Sequence, residues 1–302
     1  MIVIKEILCP VDLSPVSRHA FAHAVALARW YGARIHLLHV YTVLIPATVP
    51  PFAFAGPVSG ALTEPDLSTI AGDVARFVEE SGAAGVDVNV IVSDGVPAQR
   101  IAEQARALAV DLVVMGTHGH SRLERFLLGS VTERIVRTAT APLLTVPPPC
   151  ADQPSARFAN ILCCVDFSDP STVALRFGLS LAQESGGRIV LLHVIDWPEA
   201  DEPLTSRPFS VPEYKRERLR DAEHRLAELV PADVRDWCEP IVIVRLGQPT
   251  RAILSVAAEA GADLIVMGSH GHNALERLFV GSTANQVIRS ASCPVLTIGH
   301  EG

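Results

Sequence analysis

The sequence predicts an α/β protein in which a doubly wound parallel sheet is made twice within 302 residues. Three observations lead there. Gly116-Thr117-His118-Gly119 with Gly129-Ser130 recurs as Gly268-Ser269-His270-Gly271 with Gly281-Ser282, and Asp111, Pro142 and Gly95 recur at the same spacing as Asp263, Pro294 and Gly247. Ile7-Leu8-Cys9-Pro10-Val11-Asp12-Leu13-Ser14 likewise recurs as Ile161-Leu162-Cys163-Cys164-Val165-Asp166-Phe167-Ser168. A period of about 150 residues is the size of a domain, not of a solenoid repeat. Third, the strand-like segments are continuous Val/Ile/Leu runs without alternation, the pattern of strands buried on both faces.

The elements follow in order through the first half. Residues 2–11 form an apolar strand, and Ser14-Pro15 supplies the cap and first-turn proline of a helix that runs on through Ala20 to Trp30. A strand is expected at 34–41, a helix at 64–81 and a strand at 86–93. Pro97 opens a helix to residue 108, and a strand at 112–115, a helix at 130–138 and a strand at 143–146 complete the set. The second half repeats the order. Short strands joined by helices imply right-handed crossovers, and in such sheets ligands lie beyond the carboxyl ends of the strands. Asp12, Val40 and Gly116, with Asp166, Val194 and Gly268, fall there.

Residues 35–63 carry no Asp, Glu, Lys or Arg, yet Pro46, Pro50, Pro51 and Pro57 break any membrane-spanning helix. The expectation is a buried strand running into an apolar loop at 44–62. The net charge of −8 leaves no basic footprint for nucleic acid. The six cysteines show no metal spacing and Cys9, Cys163 and Cys164 sit in apolar runs, so a reducing cytoplasm and no membrane association are expected.

The glycine motif suggests chemistry. Gly116 and Gly119 allow a tight turn with bare N–H groups, and Gly129-Ser130 sets amides and a hydroxyl at a helix start, where unpaired donors and the helix dipole favour a phosphate. Asp12 and Asp166 offer acceptors for ribose hydroxyls or, through water, for a hard cation.

These residues resemble the universal stress proteins, in their ATP-binding branch. The pattern Gly-x2-Gly-x9-Gly-Ser, preceded by Asp111-Leu112-Val113-Val114-Met115 and followed by Ala141-Pro142-Leu143-Leu144, carries the resemblance. Its copy runs from Asp263 to Leu296. The resemblance implies two flavodoxin-like (Rossmann-like) domains at 1–148 and 158–302 joined by a linker at 149–157. Each would be a five-stranded parallel sheet of order 3-2-1-4-5 with helices on both faces. It implies ATP, or ADP or AMP, at each set of strand tips. The first site would comprise Pro10, Asp12, Val40, Met115, Gly116, His118, Gly119, Gly129, Ser130 and Val131. The second would comprise Asp166, Val194, Met267, Gly268, His270, Gly271, Gly281, Ser282 and Thr283. Adenine contacts would fall on the backbone of Val40 and Val194, ribose contacts on Asp12, Gly116, Asp166 and Gly268. Phosphate contacts would fall on Gly119, Gly129, Ser130, Gly271, Gly281 and Ser282, with Mg brought by bound ATP near Asp12 and Asp166.

The copies differ where Pro10 becomes Cys164, Arg122 becomes Ala274, and Val131-Thr132-Glu133 becomes Thr283-Ala284-Asn285, which places the weaker expectation on the second site. Lys5 and Lys215 are the chain's two lysines and neither adjoins a glycine motif, so no Walker-type lysine is present and fast phosphoryl transfer is not expected. Arg125 and Arg277 read either as phosphate-reaching or as salt-bridged loop arginines. The pairs His118/His120 and His270/His272 lack the further ligands of a zinc site and read as phosphate-side donors or as loop polarity. The Gly-x-His-Gly-His string also resembles an adenylyl-transfer signature, but that signature belongs after the first strand and this one follows the fourth. His39 and His193 are expected as satisfied core histidines.

The resemblance implies pairing of the last strands, so 143–146 and 295–298 would join within one chain as an internal pseudo-dimer, leaving another surface for homodimerisation. The expected role is a signalling or stress-response module whose nucleotide occupancy alters its conformation or an unidentified protein partner. The alternatives are a slow ATPase or autophosphorylating enzyme and a nucleotide-free scaffold.

Overall fold

The computed structural model describes residues 2–42, 64–119, 128–148, 158–197, 211–270 and 281–299. The apolar stretch 44–62, the linker 149–157, and His120, Arg122, Arg125, Gly271, His272, Ala274 and Arg277 lie outside the described residues.

The first half runs β1 (Glu6–Val11), α1 (Pro15–Tyr31), β2 (Arg34–Tyr41), α2 (Glu64–Glu80), β3 (Val88–Asp94), α3 (Pro97–Ala107), β4 (Leu112–Gly116), α4 (Ser130–Thr138) and β5 (Leu143–Val146). The second runs β6 (Asn160–Cys164), α5 (Asp169–Ser185), β7 (Arg188–Ile195), α6 (Val211–Glu228), a 3-10 turn at Ala232–Asp236, β8 (Ile241–Leu246), α7 (Pro249–Glu259), β9 (Leu264–Gly268), α8 (Ser282–Ser290) and β10 (Val295–Ile298). The first strand starts at Glu6, later than the apolar run suggested. The backbone amides of Lys5 and Glu6 donate instead to the Asp111 carboxylate, at 2.7 and 2.9 Å. Asp263 receives the amides of Ala159 and Asn160 in the same way, at 2.7 and 2.9 Å, so this repeated aspartate anchors strand entries at the end of the sheet away from the glycine motif.

Local chemistry sets the helix ends. The Ser14 side chain caps α1 by accepting from the Ser17 amide at 3.2 Å, and Gly32 ends the helix in the left-handed conformation at φ 65°. Ser168 and Gly186 repeat both devices on α5.

Where a five-stranded sheet was expected in each half, the expected pairing of 143–146 with 295–298 joins the strands of both halves. The strands form one ten-stranded sheet, ordered β3-β2-β1-β4-β5-β10-β9-β6-β7-β8. Every pairing is parallel except that of β5 with β10, which is antiparallel and sets Leu144 opposite Leu296. Thr145 and Thr297 reinforce this seam by donating their hydroxyls to the carbonyls of Val295 and Leu143, at 3.1 and 3.3 Å. All four residues of each seam strand are buried, and an apolar strand with bare amides and carbonyls would otherwise be an open template.

One continuous core on the α1/α5 face joins the halves through Leu27, Leu144, Phe158, Leu181 and Leu296. Across it, Phe158 of the second half stacks against His23 and Trp30 of the first, with ring centroids at 5.8 and 5.7 Å. Tyr31 and Ser180 share a hydroxyl hydrogen bond of 3.0 Å. The opposite face carries α3, α4, α7 and α8 over a second core that includes Leu8, Leu38, Ile135 and Val287. There Arg289 of α8 pairs with Glu133 of α4 at 3.0 Å.

Burial holds the His23 imidazole down to about 4, with the neighbouring His19 adding to the effect. Its Nδ1–H donates to the His19 carbonyl at 2.9 Å, which opposes the shift without cancelling it. A lowered folded-state value means that the unfolded chain binds the proton first. The stability tied to neutral His23 is therefore complete above about 6.5, and it is lost as the pH falls from there towards 4. His23→Phe, which keeps a ring against Phe158, is expected to flatten the fall in urea midpoint between pH 6.5 and 4. An unchanged slope would show that His23 does not titrate on unfolding.

Candidate functional site

At the carboxyl end of β1 the chain turns through Asp12-Leu13-Ser14 into α1. The Asp12 Oδ1 accepts the Ser14 amide at 3.0 Å, and Leu13 is held at φ 64°. Asp166-Phe167-Ser168 repeats this geometry: the Asp166 Oδ1 accepts the Ser168 amide at 3.0 Å and the Ser168 hydroxyl, with Phe167 at φ 65°. A bulky residue in the left-handed region costs energy and concentrates at functional turns. Here it aims each carboxylate at the crevice beyond the strand ends.

The opposite wall is the start of α4 and of α8. Gly129 and Gly281 are their N-caps, at φ −60° and −58°, and their amides donate to the carbonyls of Thr117 and Ser269 at 2.9 and 2.7 Å. The N-cap glycines supply no side-chain cap, so the first-turn amides of Ser130 and Val131, and of Ser282 and Thr283, open on the crevice without a side-chain cap from among the described residues. The His118 Nδ1 meets the Thr117 hydroxyl at 2.9 Å, while its Nε2 is buried with no hydrogen-bond partner among the described residues. Buried polar atoms are normally satisfied, so such an atom points to a missing acceptor or donor. The His270 Nδ1 meets the Ser269 hydroxyl at 2.7 Å.

The glycines of the repeated motif divide into two kinds. A Cβ on Gly268 would lie 3.0 Å from the Ser171 amide nitrogen and 3.2 Å from the Pro170 carbonyl carbon, and one on Gly116 would lie 2.9 Å from the Val16 Cγ1. These two end β4 and β9 where the first turns of α1 and α5 press on the strands, so close packing explains them. Gly119 faces the crevice, where a Cβ would collide with the Asp12 carboxylate. It does not have positive φ, so access alone accounts for glycine there.

In the first half the structure brings Pro10, Asp12, Val40, Met115, Gly116, His118, Gly119, Gly129, Ser130 and Val131 around one cavity of about 210 Å3. In the second, Asp166, Val194, Met267, Gly268, His270, Gly281, Ser282 and Thr283 line a cavity of about 530 Å3. Gly271 lies outside the described residues. Sequence reasoning missed Pro97, Ile101 and Thr132 in the first cavity, and Pro249, Ile253, Ala284 and Asp196 in the second. Pro97/Pro249 and Ile101/Ile253 share the spacing of the glycine motifs, a signal that was present. Asp196 had none, because Thr42 stands at the matching place.

His39 and His193 stay out of both cavities. Each donates Nδ1–H to a strand carbonyl, Val11 at 2.9 Å and Val165 at 2.7 Å. Burial lowers the His193 value, which keeps that ring neutral. Neither lysine lines either cavity: Lys5 precedes β1, and Lys215 stands over the Trp197 ring at 4.6 Å. Among the described residues no group of three or more His, Cys, Asp or Glu is placed to hold a metal, and no helix is long and apolar enough to cross a membrane. The described cysteines are free thiols, and burial pushes Cys163 and Cys293 up to about 12.

The universal stress protein family model matches residues 4–147 and again 157–299. A universal stress protein of Methanocaldococcus jannaschii is 36% identical over 145 residues, covering 48% of this chain and 83% of the relative. One of Mycobacterium tuberculosis is 28% identical over 257 residues, covering 83% of this chain and 82% of its own length. The crystal structure of a universal stress protein from Archaeoglobus fulgidus has the same fold, with a TM-score of 0.64 at 22% identity over 98% of this chain and 97% of that one.

Proposed function

Because this chain belongs to the universal stress protein family, we propose that it is a stress-response protein of the ATP-binding branch, taking an adenine nucleotide at each of the two crevices. The units would be 1–148 and 158–302, with 149–157 between them. The observation that carries this reading is the uncapped start of α4 and of α8, opening on the cavity whose far wall bears Asp12 or Asp166. Unpaired first-turn amides and the helix dipole bind a phosphate, and a carboxylate across from them accepts ribose hydroxyls. The buried Nε2 of His118, without a hydrogen-bond partner among the described residues, supplies a further group to meet an anion.

In this reading Gly119, Gly129, Ser130, Gly281 and Ser282 hold phosphates, together with Gly271. Val40 and Val194 present backbone to adenine between Pro97 and Met115, and between Pro249 and Met267. Mg enters with the triphosphate near Asp12 and Asp166. The chain's own residues bind and orient. No lysine or arginine among the described residues lines either cavity, which favours a binding role over hydrolysis. Occupancy then alters the walls that α1 and α5 share with the seam, and so conformation or partner choice.

Titration calorimetry with ATP and Mg is expected to give micromolar-order dissociation constants, near −8 kcal/mol. Turnover is expected far below the roughly 10 s⁻¹ of ordinary enzymes. Absence of both heat and thermal shift removes the nucleotide reading. A rate near 10 s⁻¹ that disappears on changing Asp12 and Asp166 would make the protein an enzyme instead.

A further inference from the structure

The two crevices share their plan but not their size. Pockets that hold ligands of nucleotide size run from about 300 to 1,000 Å3. The second cavity, at about 530 Å3, lies inside that range and the first, at about 210 Å3, falls short. Two residue differences between the halves fall on the cavity walls. The buried Thr132 hydroxyl donates to the Gly116 carbonyl at 2.8 Å, tying the first turn of α4 to the end of β4, the two elements between which the crevice opens. Its counterpart Ala284 has no hydroxyl and leaves α8 and β9 without that tie. Pro10 puts a ring where the second half has the Cys164 thiol.

We propose that the sites are unequal and fill in order: the second half takes nucleotide first, and Thr132 is the positioning residue that holds the first half in a closed form. This deepens the nucleotide reading above and rests on it. A site whose competent form is a fraction f of the population binds with a dissociation constant raised by 1/f. A buried neutral hydrogen bond that must break before the ligand enters corresponds to a weakening of about tenfold at most. The protein then responds over two nucleotide ranges, a filled second half at low concentration and a filled pair at high concentration.

The test is titration calorimetry of the full chain with ATP and Mg. Two steps separated by up to about tenfold are expected. Asp166→Ala removes the tighter step and Asp12→Ala leaves it. In the Asp166→Ala chain, Thr132→Ala strengthens the remaining step by about tenfold, and in the Asp12→Ala chain, Ala284→Thr weakens the remaining step by a similar factor. A merely structural Thr132 would lower the melting temperature without strengthening binding. Ala284→Thr keeps the test open if Thr132→Ala unfolds. Two equal steps, loss of the tighter step with Asp12→Ala, or affinities unmoved by the reciprocal exchange would each overturn the ordering alone. Absence of any ATP binding would overturn the nucleotide reading and the ordering with it.

Discussion

Leu144→Asp is expected to cost the chain more than about 4 kcal/mol and to abolish its cooperative melting near the parent temperature. Leu144 is 1% exposed, faces Leu296 across the antiparallel seam, and belongs to the core that Leu27, Phe158 and Leu181 build from both halves. An aspartate there removes apolar packing and buries a carboxylate with no cationic partner among the residues of that core. Leu144→Ala, which only opens a cavity, is expected to cost about 2 to 5 kcal/mol. Urea denaturation of the three chains gives the comparison. If Leu144→Asp keeps a midpoint close to that of the parent, the seam is not a shared core and the halves are stable apart.

Gly268→Val is expected to destabilise by about 1 to 3 kcal/mol or more, whereas Gly119→Val leaves the midpoint nearly unchanged and removes nucleotide binding from the first half. The new Cβ of Gly268→Val meets the Ser171 amide and the Pro170 backbone, atoms of a helix start that Ser168 holds by its cap. Strand and helix must separate to admit it. The new Cβ of Gly119→Val meets the end of the Asp12 side chain, whose displacement strains its hydrogen bond to the Ser14 amide but does not separate strand from helix. The valine then stands between Asp12 and α4, where the phosphates are assigned. Denaturation midpoints and ATP titrations on both variants separate the two roles. A Gly119→Val chain that binds with the parent stoichiometry would show that this loop is not part of the cradle, and a Gly268→Val chain as stable as the parent would show that α5 does not press on β9.

Much of the molecule was legible in the residues because it depends on neighbours in the chain. Ser14-Pro15 marks a helix start through a cap three residues long, and the Val/Ile/Leu runs mark buried strands. Asp12 and Gly129 could be placed at strand and helix ends from adjacent residues alone, and the structure sets both on one cavity. One reason for glycine at 116 could not be read from its neighbours: Val16, which arrives from a distant segment, leaves no room for a Cβ. Asp111 belonged to the repeated motif yet serves the other end of the sheet, because its partners are the amides of Lys5 and Glu6.

The sequence by itself determined that the chain is a duplicated α/β unit, which segments form its strands and helices, and that Asp12 and Gly129 stand at strand and helix ends, since repeats, caps and periodicity are properties of contiguous residues. Only the tertiary structure decided the register that joins the halves into one sheet, that motif glycines split between packing and access, and which of the two cavities is the larger. The first two outcomes turn on Leu144 meeting Leu296, Gly268 meeting Ser171 and Gly116 meeting Val16. Each is a contact between segments far apart in the chain, and a short-range pattern carries no record of what the folded backbone sets opposite it.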